Sequence, residues 1–251
     1  MRVLVLCGVL GLAAVTGPSP AADEATVVER IRAVLWVGGF AHDFDAIAEI
    51  TREFLPRQAP IDISVVHDGG FLDEAELPDL IIMNHCIEST EGILTEARQK
   101  RLLDAIRGGV GVVAIHASYY SFTKWPEFRE LFGATFMQHA ESDIQIEVRV
   151  VDAKHPVAAG IPTTFEVHSE LYESTPLADD CRLIAVAKQV GGDKEWPSVW
   201  AKPYGKGRVV TLLPAHWPDA YRVDAFQRLI VNACLYAAGR GAAAEAAEEA
   251  K

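Results

Sequence analysis

Cysteine is scarce in this chain of 251 residues, with four in all, and no two are spaced Cys-x-x-Cys. A thiol redox motif and a thiolate zinc site are therefore not supported. Positive charge is scarce too: 23 Lys and Arg stand against 35 Asp and Glu, for a net charge of −12. Nucleic-acid affinity comes largely from Lys and Arg displacing counterions, so no nucleic-acid partner is expected. No Pro/Ser-rich linker, block of like charge or internal repeat divides the chain. With 50% hydrophobic and 23% charged residues, disorder, collagen and coiled coil are excluded, and one domain spanning 33–239 is expected.

Long apolar runs are also lacking. The longest, Val3 to Val15, falls short of the roughly 20 residues that span a bilayer. Preceded by Met1-Arg2 and followed by Thr-Gly-Pro-Ser-Pro-Ala-Ala, it has the pattern of a secretory signal peptide over residues 1–22, with cleavage after Ala21 or Ala22. A buried N-terminal strand is the alternative. The expectation is a secreted or periplasmic protein with no integral membrane segment after signal cleavage. Cys86, Cys181 and Cys234 then remain, an odd number, so a disulfide framework does not hold the fold; the last two read as buried core residues.

What the chain does have is an alternation of short β-branched runs with helical patterns. Short β-branched runs fall at 33–37, 61–66, 80–83, 110–115 and 209–213, of which 110–115 is nearly all apolar, and helical patterns cover 43–55, 95–107 and 223–238. Continuous apolar strands separated by helices predict an α/β fold, a three-layer αβα sandwich with a mostly parallel central sheet. A short helix is expected near Trp125 to Phe132. The strictly alternating segment from Ile144 reads as a half-exposed strand, 182–187 as a further strand, and Tyr204-Gly-Lys-Gly-Arg208 as a hairpin. The Ala/Glu-rich tail 240–251 reads as a polar helix extension that frays.

Ligands of open parallel sheets bind beyond the carboxyl ends of the strands. Four of the eight histidines fall there: His42, His85, His116 and His216. His168 and Glu170 follow the apolar segment at Phe165, and His139 lies after the short helix. Each could instead be hydrogen-bonded structure. His67, in a polar turn, and His155, before Pro156, read as structural. His85 and Cys86 are adjacent, and neighbours on an extended chain point oppositely, which weakens a nucleophile–base pairing.

The ordered set Gly-Gly-Phe-Ala-His42-Asp, Gly-Gly-Val-Gly-Val-Val-Ala-Ile-His116-Ala, Trp125-Pro-Glu-Phe with Phe-Met-Gln-His139, His155-Pro, Ser169-Glu170-Leu-Tyr172 and Gly-Lys-Gly-Arg208 with Ala-His216 resembles the ThuA-like, trehalose-utilisation family. The resemblance spans 33–239 and implies a flavodoxin-like, class I glutamine amidotransferase-like fold. Where an amidotransferase needs a cysteine on its nucleophile elbow, this chain has Ile115-His116-Ala117, so glutaminase chemistry is not expected. The acidic pair usual in the family appears as Ser169-Glu170, leaving only Glu170 to act as an acid.

The resemblance implies carbohydrate catabolism, with a small-molecule carbohydrate or keto-sugar as ligand and a sugar oxidoreductase as a partner in the pathway. Two readings stand. In the first, an enzyme (isomerase, epimerase, lyase or hydrolase) uses His116 and His216 for proton transfer and Glu170 to orient or ionise one of them. Histidine suits this because its unperturbed pKa, roughly 6.5, is near operating pH. His42, His139, Tyr172 and Trp125 would bind substrate, and Tyr119, Tyr120 and Trp217 could stack on a sugar ring. In the second, the chain is a carbohydrate-binding module without catalysis. No cofactor is specified, but a divalent metal is compatible with His42, His116, His139, Glu170 and His216, although no His-x-x-x-His pair places two imidazoles on one helical face.

Overall fold

The computed structural model describes residues 29–139 and 143–240. The expected signal peptide and most of the Ala/Glu-rich tail lie outside the described residues. Among the described residues no helix is long and apolar enough to cross a membrane.

Eleven strands and four helices follow in the order β1 (Ile31–Gly39), α1 (Phe44–Gln58), β2 (Ile61–Val66), β3 (Leu80–Cys86), α2 (Glu96–Gly108), β4 (Gly111–Ile115), α3 (Pro126–Glu130), β5 (Phe136–His139), β6 (Ile144–Val150), β7 (Thr164–Ser169), β8 (Tyr172–Ser174), β9 (Arg182–Gln189), β10 (Trp196–Tyr204), β11 (Gly207–Leu212) and α4 (Asp224–Ala237). The helices start where local chemistry satisfies their free amides. Asp43 accepts from the Ala46 N–H at 3.1 Å and Thr95 from the Arg98 N–H at 3.3 Å. Helix α2 ends at Gly109, whose φ of +127° suits a residue without a Cβ.

Nine strands form one sheet in the order β2-β1-β3-β4-β11-β10-β9-β6-β7, and β5 pairs with β8 separately. The first five are parallel and reproduce the doubly wound order of flavodoxin-like folds. Alternate side chains feed two cores. Leu35, Ile82, Val113 and Ile115 pack under α1 and α4, while Trp36, Ile81, Met83 and Val112 pack under α2 through Leu102, Leu103 and Ile106. Each of these buried α2 side chains contributes about 1.5–3 kcal/mol. The result is the αβα arrangement.

The expectation of a mostly parallel sheet needs correction, because β11-β10, β10-β9, β9-β6 and β6-β7 are all antiparallel. Strands joined by the tight Gly205-Lys206 turn can only run antiparallel, since a parallel pair needs a long crossover. Cys181 is half-buried rather than buried, whereas Cys86 and Cys234 are buried; all three are free.

Alternating directions along the antiparallel half have a consequence for function. Counting from β11, strand β7 again points the same way as the parallel strands, so the segment after Ser169 emerges at the same sheet edge as those after β1, β3, β4 and β11. Three strands separate β7 from β11 in the sheet, yet Ser169 Oγ accepts from the backbone N–H groups of Ala215 and His216 at 3.0 and 3.2 Å. That contact brings the two strand ends together.

Candidate functional site

Each parallel strand end carries its residue on a tight exit. Strand β1 leaves through Gly38-Gly39, where Gly39 has φ +102° and a Cβ would lie 1.8 Å from the Cys86 carbonyl oxygen. Phe40 N–H donates to that same carbonyl at 3.2 Å, which fixes the start of the loop bearing His42. His116 itself has φ +50° at the end of β4. Ala41, before His42, has φ +68°, and Ala215, before His216, has φ +95°. Among the described residues only one further non-glycine residue, Phe122, has positive φ. Such backbone costs on the order of 1–3 kcal/mol per residue and persists where the surroundings enforce it, often at functional sites.

These exits bring His42, His116, His216 and Glu170 together, with ligand atoms all within 4.8 Å of one another. Within the group His116 Nε2, His216 Nδ1 and Glu170 Oε2 form a triangle with every side 3.2 Å. His116 is buried beneath the others, and its Nδ1 donates to the Leu213 carbonyl at 2.7 Å. His42 Nδ1 donates to the Phe40 carbonyl at 3.0 Å, and its Nε2 is buried without a hydrogen-bond partner. Peptide carbonyls only accept, so both rings carry their proton on Nδ1 when neutral and present Nε2 as a lone pair to the cluster.

Burial holds these rings neutral. Desolvation, reinforced by His116, lowers the His42 pKa to about 4. The pKa of His116 is also lowered, chiefly by desolvation, against the pull of Glu170. Tyr172 lies against His116, with centroids 4.5 Å apart and the rings tilted by 33°, and hydrogen-bonds the Glu170 carboxylate; burial and that charge raise its pKa well above the usual value, so it stays a phenol.

Above the cluster lies a cavity of about 260 Å³, walled by Phe40, Tyr120, Phe136 and Tyr172 and floored by His42, His216 and Glu170, with Cys86, Glu88 and His139 at its sides. Among the described residues no Lys or Arg lines it. It opens where residues following β1 and β3 diverge, the switch point of a doubly wound sheet. Larger depressions exist, including one of about 590 Å³ near Gln58, Gly160 and Arg228, but none of the site histidines lines it.

The candidate residues divide on this geometry. His42, Glu170, His216 and Tyr172 line the cavity; His116 lies beneath it and faces the cluster, not the opening. His139 stands at the rim, its Nδ1 3.7 Å from Glu170 Oε1, and is outside the four-residue group. Trp125 is elsewhere: it is buried, stacks on Phe128 at 5.3 Å and does not line the cavity, because the apolar faces of α3 and Phe122 enclose it. Tyr119 is likewise in the core, and Trp217 stacks on His168. His85 points away, against Trp36 and Phe122, and burial lowers its pKa to about 3. His155 caps its turn by accepting from Val157 N–H, and His67 is exposed.

Sequence reasoning missed Phe40 and Phe136 as cavity walls and Ser169 as a positioning residue. Both phenylalanines sit beside the histidines of the family-like segments, which is the one signal that could have found them. Ser169 had none, because its partners are backbone amides 46 and 47 residues away. Cys86 lines the cavity, but burial pushes its thiol up to about 12, which leaves it protonated and poorly nucleophilic.

The family model for ThuA, trehalose utilisation, matches residues 32–237. Among solved structures, a ThuA-like protein from Parabacteroides merdae aligns with a TM-score of 0.71 at 19% identity, covering 85% of this chain and 92% of that one. A ThuA-like protein from Bacteroides uniformis aligns at 0.66 and 20% identity, covering 86% and 94%. A GMP synthase protein from Thermoplasma acidophilum aligns at 0.51 and 15% identity, covering 83% and 96%, in keeping with a class I glutamine amidotransferase-like fold. No curated protein matches the sequence. With its family match over most of its length and the fold of the ThuA-like structures, the chain belongs to the ThuA, trehalose-utilisation, family.

Proposed function

We propose that this carbohydrate-related ThuA protein acts on an uncharged sugar or keto-sugar through the His/Glu cluster at the carboxyl edge of its sheet. The observation that carries the reading is the convergence of three imidazoles and one carboxylate at and just beneath the floor of an aromatic-walled cavity among whose described lining residues there is no Lys or Arg. Aromatic walls suit the apolar faces of a pyranose. Among the described lining residues there is no guanidinium or ammonium to grip a phosphate, which favours an unphosphorylated substrate.

Removing a proton next to a ketone needs a base and a group that stabilises the enolate oxygen. Glu170 and His216 are the buried groups facing the cavity, and His139 at the rim can relay a proton to solvent. His116, buried beneath them, holds the cluster in register rather than meeting substrate. A pure binding module is the competing reading, and the aromatic walls would serve it equally well. The buried carboxylate and neutral imidazoles favour chemistry, because their desolvation costs stability without improving contact to hydroxyl groups. We further propose export from the cytoplasm, on the pattern of residues 1–22, and a sugar oxidoreductase as the source of the keto-sugar.

The test is a screen of neutral keto-glycosides against the wild type, Glu170→Gln and His216→Ala. Turnover by the wild type that falls at least about 100-fold in folded variants is expected. Full turnover in both variants would sink the assignment. Sugar affinity that survives Glu170→Gln, with no conversion of any keto-sugar, would identify a binding module.

A further inference from the structure

We infer that His42, His116, His216 and Glu170 form a binding site for one divalent first-row transition ion, with His42 Nε2, His116 Nε2, His216 Nδ1 and a Glu170 carboxylate oxygen as ligands and the cavity side left open. Bonds of about 2.0–2.1 Å to a tetrahedral ion hold ligand atoms about 3.3–3.4 Å apart. The His116, His216 and Glu170 atoms are 3.2 Å from one another on all three sides, close to one face of such a tetrahedron. His42 completes the group within a 4.8 Å limit, so a small closing movement of its loop would bring Nε2 into reach.

The pattern of hydrogen bonds points the same way. His116 Nε2, His42 Nε2 and the Glu170 oxygens are all acceptors, because both rings commit their Nδ1 proton to peptide carbonyls. His216 Nδ1 stands 3.2 Å from both His116 Nε2 and Glu170 Oε2 and can donate to only one of them, and His42 Nε2 has no partner despite its burial. A cation placed among these groups would engage the His42 and His116 Nε2 lone pairs together with the carboxylate. The carbonyls of Phe40 and Leu213 are also the outer partners expected of metal-bound imidazoles, which fix the ring orientation and leave one lone pair free. Tyr172 holds the carboxylate, and Ser169 holds the backbone of His216.

Three imidazoles and one carboxylate select zinc, cobalt, nickel, iron or manganese over calcium and magnesium, which prefer oxygen ligands. His42, His216 and Glu170 also line the cavity, so an exchangeable position on the ion would face the sugar site, where a hydroxyl or carbonyl oxygen could occupy it. That last point rests on the proposed sugar function; the ligand set does not.

The experiment uses the full chain purified without an affinity tag, stripped with chelator and titrated with Co²⁺ and Zn²⁺. One ion per chain is expected, with the visible absorption of a low-coordinate Co²⁺ centre. His42→Ala and Glu170→Gln should each weaken binding about 10–100-fold, while His168→Asn, at a surface histidine between Asp143 and Asp219, leaves it unchanged. Pulsed electron paramagnetic resonance of the Cu²⁺-loaded wild type counts coordinated imidazoles without any variant, and three are expected. Binding lost in His168→Asn, fewer than two imidazoles, or no stoichiometric uptake at micromolar ion would overturn the site. A bound ion in a protein inert towards every sugar would leave the site standing and remove the function; sugar turnover by a chain that takes up no ion would keep the function and remove the site.

Discussion

Ser169 Oγ accepts the backbone N–H of His216 at 3.2 Å and so ties the end of β7 to the end of β11, two strands that three others separate in the sheet. The residue directly after β7 is Glu170, and the residue held is the histidine it contacts. Ser169→Ala would leave two buried N–H groups, those of Ala215 and His216, without an acceptor. We expect a loss of about 1–3 kcal/mol, with Ser169→Thr or Ser169→Asp recovering part of it. Urea midpoints for the three variants check this; an unchanged midpoint in Ser169→Ala would show that the contact is unimportant.

Gly39→Ala should be among the most damaging single changes. The new methyl would meet the Cys86 carbonyl oxygen at 1.8 Å at a position whose φ of +102° already disfavours any side chain. Only backbone movement can relieve that contact, and it would displace the loop carrying His42. A cost on the order of 3 kcal/mol or more is expected, measured as a fall in thermal midpoint. Gly191→Ala is a useful comparison, since its φ is also positive at +82° but its Cβ meets nothing within 4 Å.

Trp125→Ala separates a core role from a binding role. The ring is buried against Phe122 and Phe128. Its removal should cost about 3–5 kcal/mol, as for other large core aromatics, and leave the sugar affinity of the remaining folded protein within about twofold, a free-energy change below about 0.5 kcal/mol. Calorimetric titration showing affinity lost in proportion to the wild-type value would place the ring at the ligand instead.

Acid should destabilise the protein well above the carboxylate range. Burial lowers His85 to about 3 and His155 to about 4, whereas in the unfolded chain both titrate near 6.5. The unfolded state therefore binds more protons below about pH 6.5, and stability falls as pH drops from there towards pH 3–4. At about 1.4 kcal/mol per pKa unit, His85 alone accounts for a loss of a few kcal/mol. Both lie outside the metal-ligand group, so the loss should persist in chelator. Urea unfolding at about pH 7 and about pH 4.5 checks the sign; a flat profile would mean that the two rings are solvated in the native protein.

The sequence by itself determined most of the parallel half of the fold. Apolar runs buried on both faces, helices with Asp43 and Thr95 at their starts, and Gly109 at the end of α2 are local signals, and β2 appears at the expected residues while the other elements differ by a few. The histidines that follow β1, β4 and β11 were legible because a parallel strand's carboxyl end is a place that sequence order alone identifies. In the antiparallel half the hairpin at 204–208 was legible and joins β10 to β11, but the direction of β7 was not, since its pairing with β6 and that of β6 with β9 depend on partners far along the chain. Only the tertiary structure decided that β7 runs back towards the same edge, that Ser169 holds His216 there, and that Glu170 thereby meets three imidazoles. It also decided which candidates were apart: Trp125 and His85 share the residue types of the site, but the face of the sheet or helix from which each projects sends it into the core.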